Sequence, residues 1–352
     1  MPCARGRIPD SLITSSVFSS CLRPGFEHNT GGMKSIVNVG QKNSRLLYYA
    51  KHVAQLLTPA PYHRSRLDRL LRTIDPETRA TLQPRVDYYN RLTESFALPP
   101  DAHPLRFSLR VKRRNYHMDL FEFTRCFDPT FRIAYQFGDI TETPPYPAVV
   151  KARPIAGDNR NAVLFNLNKV RHFVFVDDPV PFEQKRDLLV WRGNAFQENR
   201  KRFLARYHRH PLCDVGHAHK RERIPEWQKP YLSIRQQLDY KFILSLEGND
   251  VASNLKWIMA SQSLCFMPRP RYETWFMEGT LVPDHHYVAL ADDFSDLEEK
   301  INYYRTHPEA ARAIIANAQS YVTGFWNPEH EALVALLVLN KYFMLSGQRI
   351  EN

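Results

Sequence analysis

The residues of this chain best suited to chemistry sit where short apolar runs end. Residues 240–257 read YKFILSLEGNDVASNLKW. The apolar run 242–246 reads as a strand that stops at Glu247, Gly248, Asn249 and Asp250, and the pattern predicts a helix over 251–261. At such a junction a glycine lets backbone approach a ligand, and a helix N-terminus offers unpaired N–H groups and a positive dipole end to phosphate. Ser253, Asn254 and Lys256 add donors on the first turn. This is the geometry of a diphosphate site, although a plain βα turn carries the same residues. Neither GxGxxG nor GxxxxGK[ST] occurs in the sequence, which weighs against a standard dinucleotide oxidoreductase and a P-loop phosphotransferase.

Three further groups have the same character. Trp191, Arg192 and Gly193 close the apolar run 188–191: the arginine offers a bidentate fork to phosphate and the glycine leaves room for a ligand. A buried tryptophan beside a surface arginine is the plainer reading of the same triplet. In residues 271–279, RYETWFMEG, Glu273 can accept hydrogen bonds from ribose hydroxyls, while Trp275, Phe276 and Met277 suit core packing. His285 and His286 are adjacent and point apart, so they cannot form an i,i+4 metal pair on one helix face. At most one serves a ligand, and the expectation falls on His286 as a sugar or phosphate contact. Asp139, in YQFGD, is a carboxylate beside a glycine at a strand end, able to take a proton from a hydroxyl or simply to open a turn. Asp177 with Asp178, and Asp292 with Asp293, are read as turn and capping residues. No metal is assigned.

These side chains need a scaffold, and the chain is long enough to supply one. Its 352 residues suit two domains that bury cores without disulfides. The 43% hydrophobic and 24% charged composition excludes a disordered chain. Five scattered cysteines without a CxxC argue against a disulfide framework or zinc site and for a reducing cytoplasm. Residues 1–32 lack periodicity and a signal-peptide core, so they read as a disordered leader with the natural start at Met33. Helices are expected over 43–57 and 64–74, and strands over 106–111, 116–123, 131–137, 162–167 and 172–176. After the strand 188–191 and a helix 199–207, strands at 242–246, 264–267 and 287–290 alternate with helices at 251–261, 294–306 and 308–325. That alternation implies βαβ units on a mostly parallel sheet. A last helix, 328–345, begins with Asn327 as N-cap and Pro328 at N1. Its apolar run is far short of the roughly 20 residues needed to span a bilayer.

The formal net charge of +11 predicts attraction to anions: nucleic acid, nucleotides or an acidic membrane face. The densest basic clusters, around 110–114, 200–206 and 220–223, read singly as solvated faces and together fit an acidic glycan or an anionic membrane. No zinc-finger, RRM or basic-zipper pattern is present, so no specific nucleic acid is expected as a partner.

The segments EGNDVASNLKW, SLCFMPRPRYETWFMEG, HHYVAL and DDFSDLEEKI, with the upstream WRG, occur in an order that resembles glycosyltransferase family 90. The family includes bacterial lipopolysaccharide and capsule glycosyltransferases, fungal capsule-associated xylosyltransferases and Rumi-type protein O-glucosyltransferases. The likeness covers about residues 131–325, is densest over 240–297 and is nearest to the bacterial lipopolysaccharide-modifying branch. It implies an α/β chain of the GT-B fold: two Rossmann-like domains facing across a cleft. Residues 33–185 would form the acceptor side, with a C-terminal helix (326–350) packing back on it, and 186–325 the nucleotide-sugar side. It also implies an inverting, metal-independent transfer from a UDP-sugar, without a cofactor, and the basic surface and cytoplasmic signature fit a lipid-linked or lipopolysaccharide-core glycan as the acceptor. The protein would then be cytoplasmic, in peripheral contact with the inner membrane face.

By the same resemblance Asp139 matches the family's proposed base, although the arginine that precedes that aspartate in the O-glucosyltransferases is missing. The donor-site segments fall on Trp191, Arg192, Gly193, Tyr240, Lys241, Gly248, Ser253, Asn254, Lys256 and Glu273. Asn254 stands where eukaryotic members carry arginine, which leaves Lys256 or Arg192 to neutralise the diphosphate. The alternatives are a manganese-dependent GT-A transferase, which needs a DxD, and a basic non-catalytic protein that binds glycan or nucleic acid.

Overall fold

The computed structural model describes residues 45–56, 58–106, 112–219 and 221–349. Residues 1–32, most of the expected strand 106–111 and part of the basic cluster around it lie outside the described residues.

Helices α1 (Arg45–Leu56), α2 (Ala60–Thr73) and α3 (Pro76–Tyr89) come first. The reading above stops a helix at Asp75 and Pro76, whereas those residues start α3. The Asp75 carboxylate accepts from the backbone N–H groups of Glu77 and Thr78 at 3.1 and 2.8 Å, and Pro76 occupies the first turn, where its missing N–H costs nothing. After β1 (His103–Pro104), residues 116–123 form most of a helix, α4 (Arg114–Thr124), and not the expected strand. Tyr116, Leu120 and Phe123 are buried together at helical spacing, so the period that decides is 3.6 rather than 2.

Next come β2 (Arg132–Ile133), β3 (Tyr135–Gln136), β4 (Ala148–Val150), β5 (Ala152–Pro154), β6 (Ala162–Leu164) and the short α5 (Lys169–His172). β3, β4 and β6 form a parallel three-stranded sheet. The expected strand 172–176 is absent: α5 ends at His172 and the chain runs on without a ladder partner.

The alternating half contains β7 (Arg186–Gly193), α6 (Glu198–Tyr207), β8 (Cys213–His217), α7 (Ile234–Gln237), β9 (Tyr240–Leu244), α8 (Leu255–Met259), β10 (Leu264–Pro268), β11 (Tyr272–Thr274) and β12 (Val288–Leu290). It closes with α9 (Leu297–Thr306), α10 (Pro308–Thr323) and α11 (Pro328–Leu345). Five strands form one parallel sheet in the order β12-β10-β9-β7-β8. Both faces of such a sheet are covered, which explains the unbroken apolar run of β9. Phe242 and Leu244 pack into a core with Phe203, Leu204 and Ile314, while Ile243 points the other way into a core with Trp257 and Ile258. That second core continues to Val149, Val163 and the buried residues of α11. A further strand pair, β11 with β5, joins the two halves antiparallel and sets Glu273 opposite Arg153.

Helix α11 is apolar on nearly every face, as a helix enclosed by protein must be. It packs against α3 and α4; Asn90 donates to the Val338 carbonyl at 3.2 Å and Tyr342 to that of Pro147 at 3.1 Å. The C-terminal helix therefore returns to the N-terminal elements. The Asn327 side chain caps it, accepting from Glu329 and His330 N–H groups at 2.9 and 3.1 Å. Asn327→Ala is expected to lower stability by about 1 kcal/mol in urea denaturation. Among the described residues no helix is long and apolar enough to cross a membrane, and Cys126, Cys213 and Cys265 are free and buried.

Candidate active site

In the large sheet β7 and β9 are neighbours, but the chain leaves them in opposite directions, β7 toward β8 and β9 toward β10. This is the switch point of an open α/β sheet, where the crevice beyond the strands' carboxyl ends takes ligands. A cavity of about 180 Å³ lies at that edge. Ser245 and Glu247 after β9, Val251 and Ala252 before α8, and Arg269 after β10 contribute to its wall. Arg202, from α6, reaches it from the side.

One arginine holds the crevice in shape. Arg200 donates to the carbonyls of Asn194, Glu247 and Leu246 at 2.9, 3.0 and 2.8 Å, tying the end of β7 to the end of β9. Its guanidinium also lies 5.7 Å from the centre of the Trp191 ring. Burial, with Arg171 nearby, pulls its pKa down to about 10. A Cβ on Gly248 would stand 3.1 Å from Arg200 Nη2, so the glycine of the 247–250 turn leaves room for this clamp. The reading of residues 200–206 as a solvated face misses Arg200, because a run of charges conceals which member points inward; Arg202 is exposed and borders the cavity from its rim.

Asp139 meets this crevice from the other sheet. It follows β3 directly after Gly138, whose φ of +141° suits glycine and whose Cβ position is filled by the Arg113 guanidinium at 3.0 Å. The Asn249 amide lies 3.4 Å from Asp139 Oδ2, and Lys151 Nζ lies 2.6 Å from Asp139 Oδ1 and 2.6 Å from Asp250 Oδ2. Burial alone would raise the Asp139 pKa, but Lys151, Arg171 and the Asn249 hydrogen bond bring it below the ordinary carboxylate value. Asp250 goes the other way, to about 6, chiefly by burial and then by the charge of Asp139, against the pull of Lys151. The ends of the 247–251 segment, Glu247 and Val251, thus line the cavity, and Asn249 between them touches Asp139.

Of the residues picked from sequence, Gly193, Gly248, Ser253 and Asn254 lie near this edge. The helix expected over 251–261 is only Leu255–Met259, because Asn254 turns its amide back to the Leu244 carbonyl at 3.0 Å and makes no cap. The others are placed elsewhere or already engaged. Lys256 is fully buried, with Nζ 2.6 Å from Glu278. Arg192 is held by Asp214 at 2.8 Å, and Trp191 is buried beside it in sequence. Tyr240 and Lys241 open β9 and so lie at the amino end of the sheet, where they bind Asp214 and Asp187, each at 2.6 Å. Burial would raise the Asp214 pKa, but hydrogen bonds from Tyr240, Lys229 and Arg192 drive it well below the ordinary value.

Glu273 is equally enclosed, 2.7 Å from Arg153 and 3.4 Å from Arg91, and accepts from the Tyr88 hydroxyl. It fastens one half of the chain to the other and offers no free oxygen to ribose. His286 accepts the Val282 N–H at 2.9 Å and lies against Tyr321, with no wall of the cavity formed by its loop. Asp178 is more than a turn residue, since Lys185 lies 2.7 Å from it in the interior.

Among the described residues one set, His52, Asp119 and Glu122, brings metal-ligating atoms within 4.8 Å of one another. Lys169 Nζ already stands 2.6 Å from Glu122 and 3.9 Å from Asp119, so an ammonium supplies positive charge there.

A mixed α/β chain with a ligand crevice at the switch point of a parallel sheet is the architecture of many transferases, and comparison with known proteins specifies which kind. Residues 168–345 match the model of glycosyl transferase family 90. O-glucosyltransferase LpsA of Dichelobacter nodosus is 49% identical over 305 residues, which span 86% of this chain and 96% of that protein. Shorter likenesses join it to protein O-glucosyltransferase 2 of Danio rerio, 32% identical over 26% of this chain and 18% of that one. O-glucosyltransferase rumi of Drosophila pseudoobscura pseudoobscura is 23% identical over 41% of this chain and 37% of its own. The chain belongs to glycosyltransferase family 90. It is a glycosyltransferase, with a sugar donor and a glycan acceptor, and not a basic module that only binds glycan or nucleic acid.

Proposed function

We propose that this protein transfers a sugar from a UDP-sugar to a hydroxyl of a lipopolysaccharide or capsule glycan, with inversion and without a metal. The relative named O-glucosyltransferase LpsA favours glucose as the sugar. The observation that carries the reading is Asp139, presented by the small sheet, in contact through Asn249 with the loop that walls the cavity of the large sheet. Asp139 takes the proton of the acceptor hydroxyl as that oxygen attacks the anomeric carbon. The donor occupies the crevice in the manner of a GT-B enzyme, and charge growing on the leaving UDP is met by fixed donors at the sheet's carboxyl edge.

Arg202 and Arg269 border the cavity, and both are exposed there. We therefore assign the diphosphate to them in place of Arg192 and Lys256, whose side chains are already paired with Asp214 and Glu278. Each charge-assisted hydrogen bond is worth about 1.5–3 kcal/mol, so Arg202→Ala and Arg269→Ala should each weaken UDP binding about tenfold or more in calorimetry. The net charge of +11 suits an acceptor held at the anionic cytoplasmic face of the inner membrane. The test is transfer from UDP-glucose to lipopolysaccharide core oligosaccharide in EDTA, with the product anomer read by NMR. Inverted product at undiminished rate is expected; transfer abolished by EDTA and restored by manganese would refute the metal-free mechanism.

A further inference from the structure

We infer that Lys151 is a positioning residue for Asp139: it holds the carboxylate where the acceptor hydroxyl arrives and is itself held from the opposite sheet by Asp250. The inference rests on reading Asp139 as the base.

Lys151 lies between β4 and β5 with 2% of its side chain exposed. A lysine ammonium has three donors and no acceptor, and this one lies between two carboxylates, 2.6 Å from each. Asp139 reaches it from the end of β3. Asp250 reaches it from the loop after β9 that borders the donor cavity. A buried cation placed so can hardly serve solubility, and it links the two sides of the crevice through charge rather than packing.

The surrounding groups show why the lysine matters most to Asp139. Arg171 on α5 also acts on Asp139, and Arg113 ahead of α4 flanks Gly138. Tyr116 on α4 acts on Lys151, and Lys256 on α8 acts on Asp250. His172 is buried and unpaired near Lys151, Lys256 and Arg171, which keep it neutral together with burial. Lys151 alone among these cations touches the Asp139 oxygens at hydrogen-bond distance. Without it, burial would dominate and the carboxyl would take up a proton at higher pH.

The experiment is the pH profile of kcat/KM for the full chain with UDP-glucose and core oligosaccharide. Removing Lys151 by itself leaves two buried carboxylates facing each other, so the comparison is made between Asp250→Asn and the Asp250→Asn, Lys151→Met double variant, which retains one fewer charge of each sign. The acid limb of the double variant is expected at least about one pH unit above that of Asp250→Asn. Lys151→Arg in the Asp250→Asn background should bring the limb back toward the lower position. Coincident limbs in the single and double variants would overturn the inference, since lost packing alone does not move a titration. Asp139→Asn separates the two readings. Full turnover in that variant removes Asp139 as base, whereas an inactive Asp139→Asn with coincident limbs removes only the role of Lys151.

Discussion

Asp139→Asn is expected to bind UDP as the wild type does and to lose sugar transfer by at least about a hundredfold, the lower end of what a general base contributes. The substitution is mild in every other respect. An asparagine keeps an oxygen for Lys151 and nearly the same volume, and Lys151 keeps its second partner in Asp250. Burial opposes the charge on Asp139, but Lys151 beside it holds the pKa below that of a free carboxylate, so at neutral pH the group is ionised and ready to accept. Such a carboxylate is a weak base toward an isolated alcohol. It serves here because the hydroxyl becomes acidic only as its oxygen bonds to the anomeric carbon, so the proton moves late and into a site already formed. Single-turnover transfer and calorimetry with UDP would be measured on the same preparation. Near-normal turnover would shift the base to another group; lost UDP binding would make Asp139 a donor contact.

Much of the scaffold for this chemistry is legible in the sequence, for an identifiable reason. Strands of a parallel sheet covered on both faces must be continuously apolar, so 188–191, 242–246 and 264–267 show themselves as runs, and each coincides with part of β7, β9 or β10. The terminal helix is equally plain, because Asn327 and Pro328 mark its start. The N-terminal half is harder. Its strands are two or three residues long, too short for any period to emerge, and α4 looks like a strand because Tyr116, Met118 and Leu120 alternate with the polar His117 and Asp119.

At the site the limit is different. Residue type reveals what a side chain can do but not which partner claims it. Arg192, Lys256 and Glu273 have the right chemistry for a nucleotide sugar, yet Asp214, Glu278 and Arg153 hold them, and those partners lie 22, 22 and 120 residues away. Asp139 and Asn249, 110 residues apart, are brought together by the fold in a way no local pattern announces.

Lys256 gives the second large effect, and it concerns stability rather than binding. Its side chain is fully buried, and Glu278, itself enclosed, receives that ammonium together with the N–H and hydroxyl of Thr274 at 2.6 and 2.9 Å. Breaking such a pair by removing one member costs about 3–5 kcal/mol, because the remaining charge stays in the interior without its counter-ion. Lys256→Met should lose that much in urea denaturation. Glu278 borders the cavity, so UDP affinity is compared in the Lys256→Met, Glu278→Gln double variant, where it stays within about twofold because no charge-assisted contact to the ligand is removed. Adding Glu278→Gln should recover most of the stability: a neutral amide still accepts from Thr274 and leaves no buried charge. The opposite pattern, unchanged stability with UDP binding weakened tenfold, would mean that Lys256 leaves Glu278 for the diphosphate when donor arrives, so that this buried pair opens during turnover.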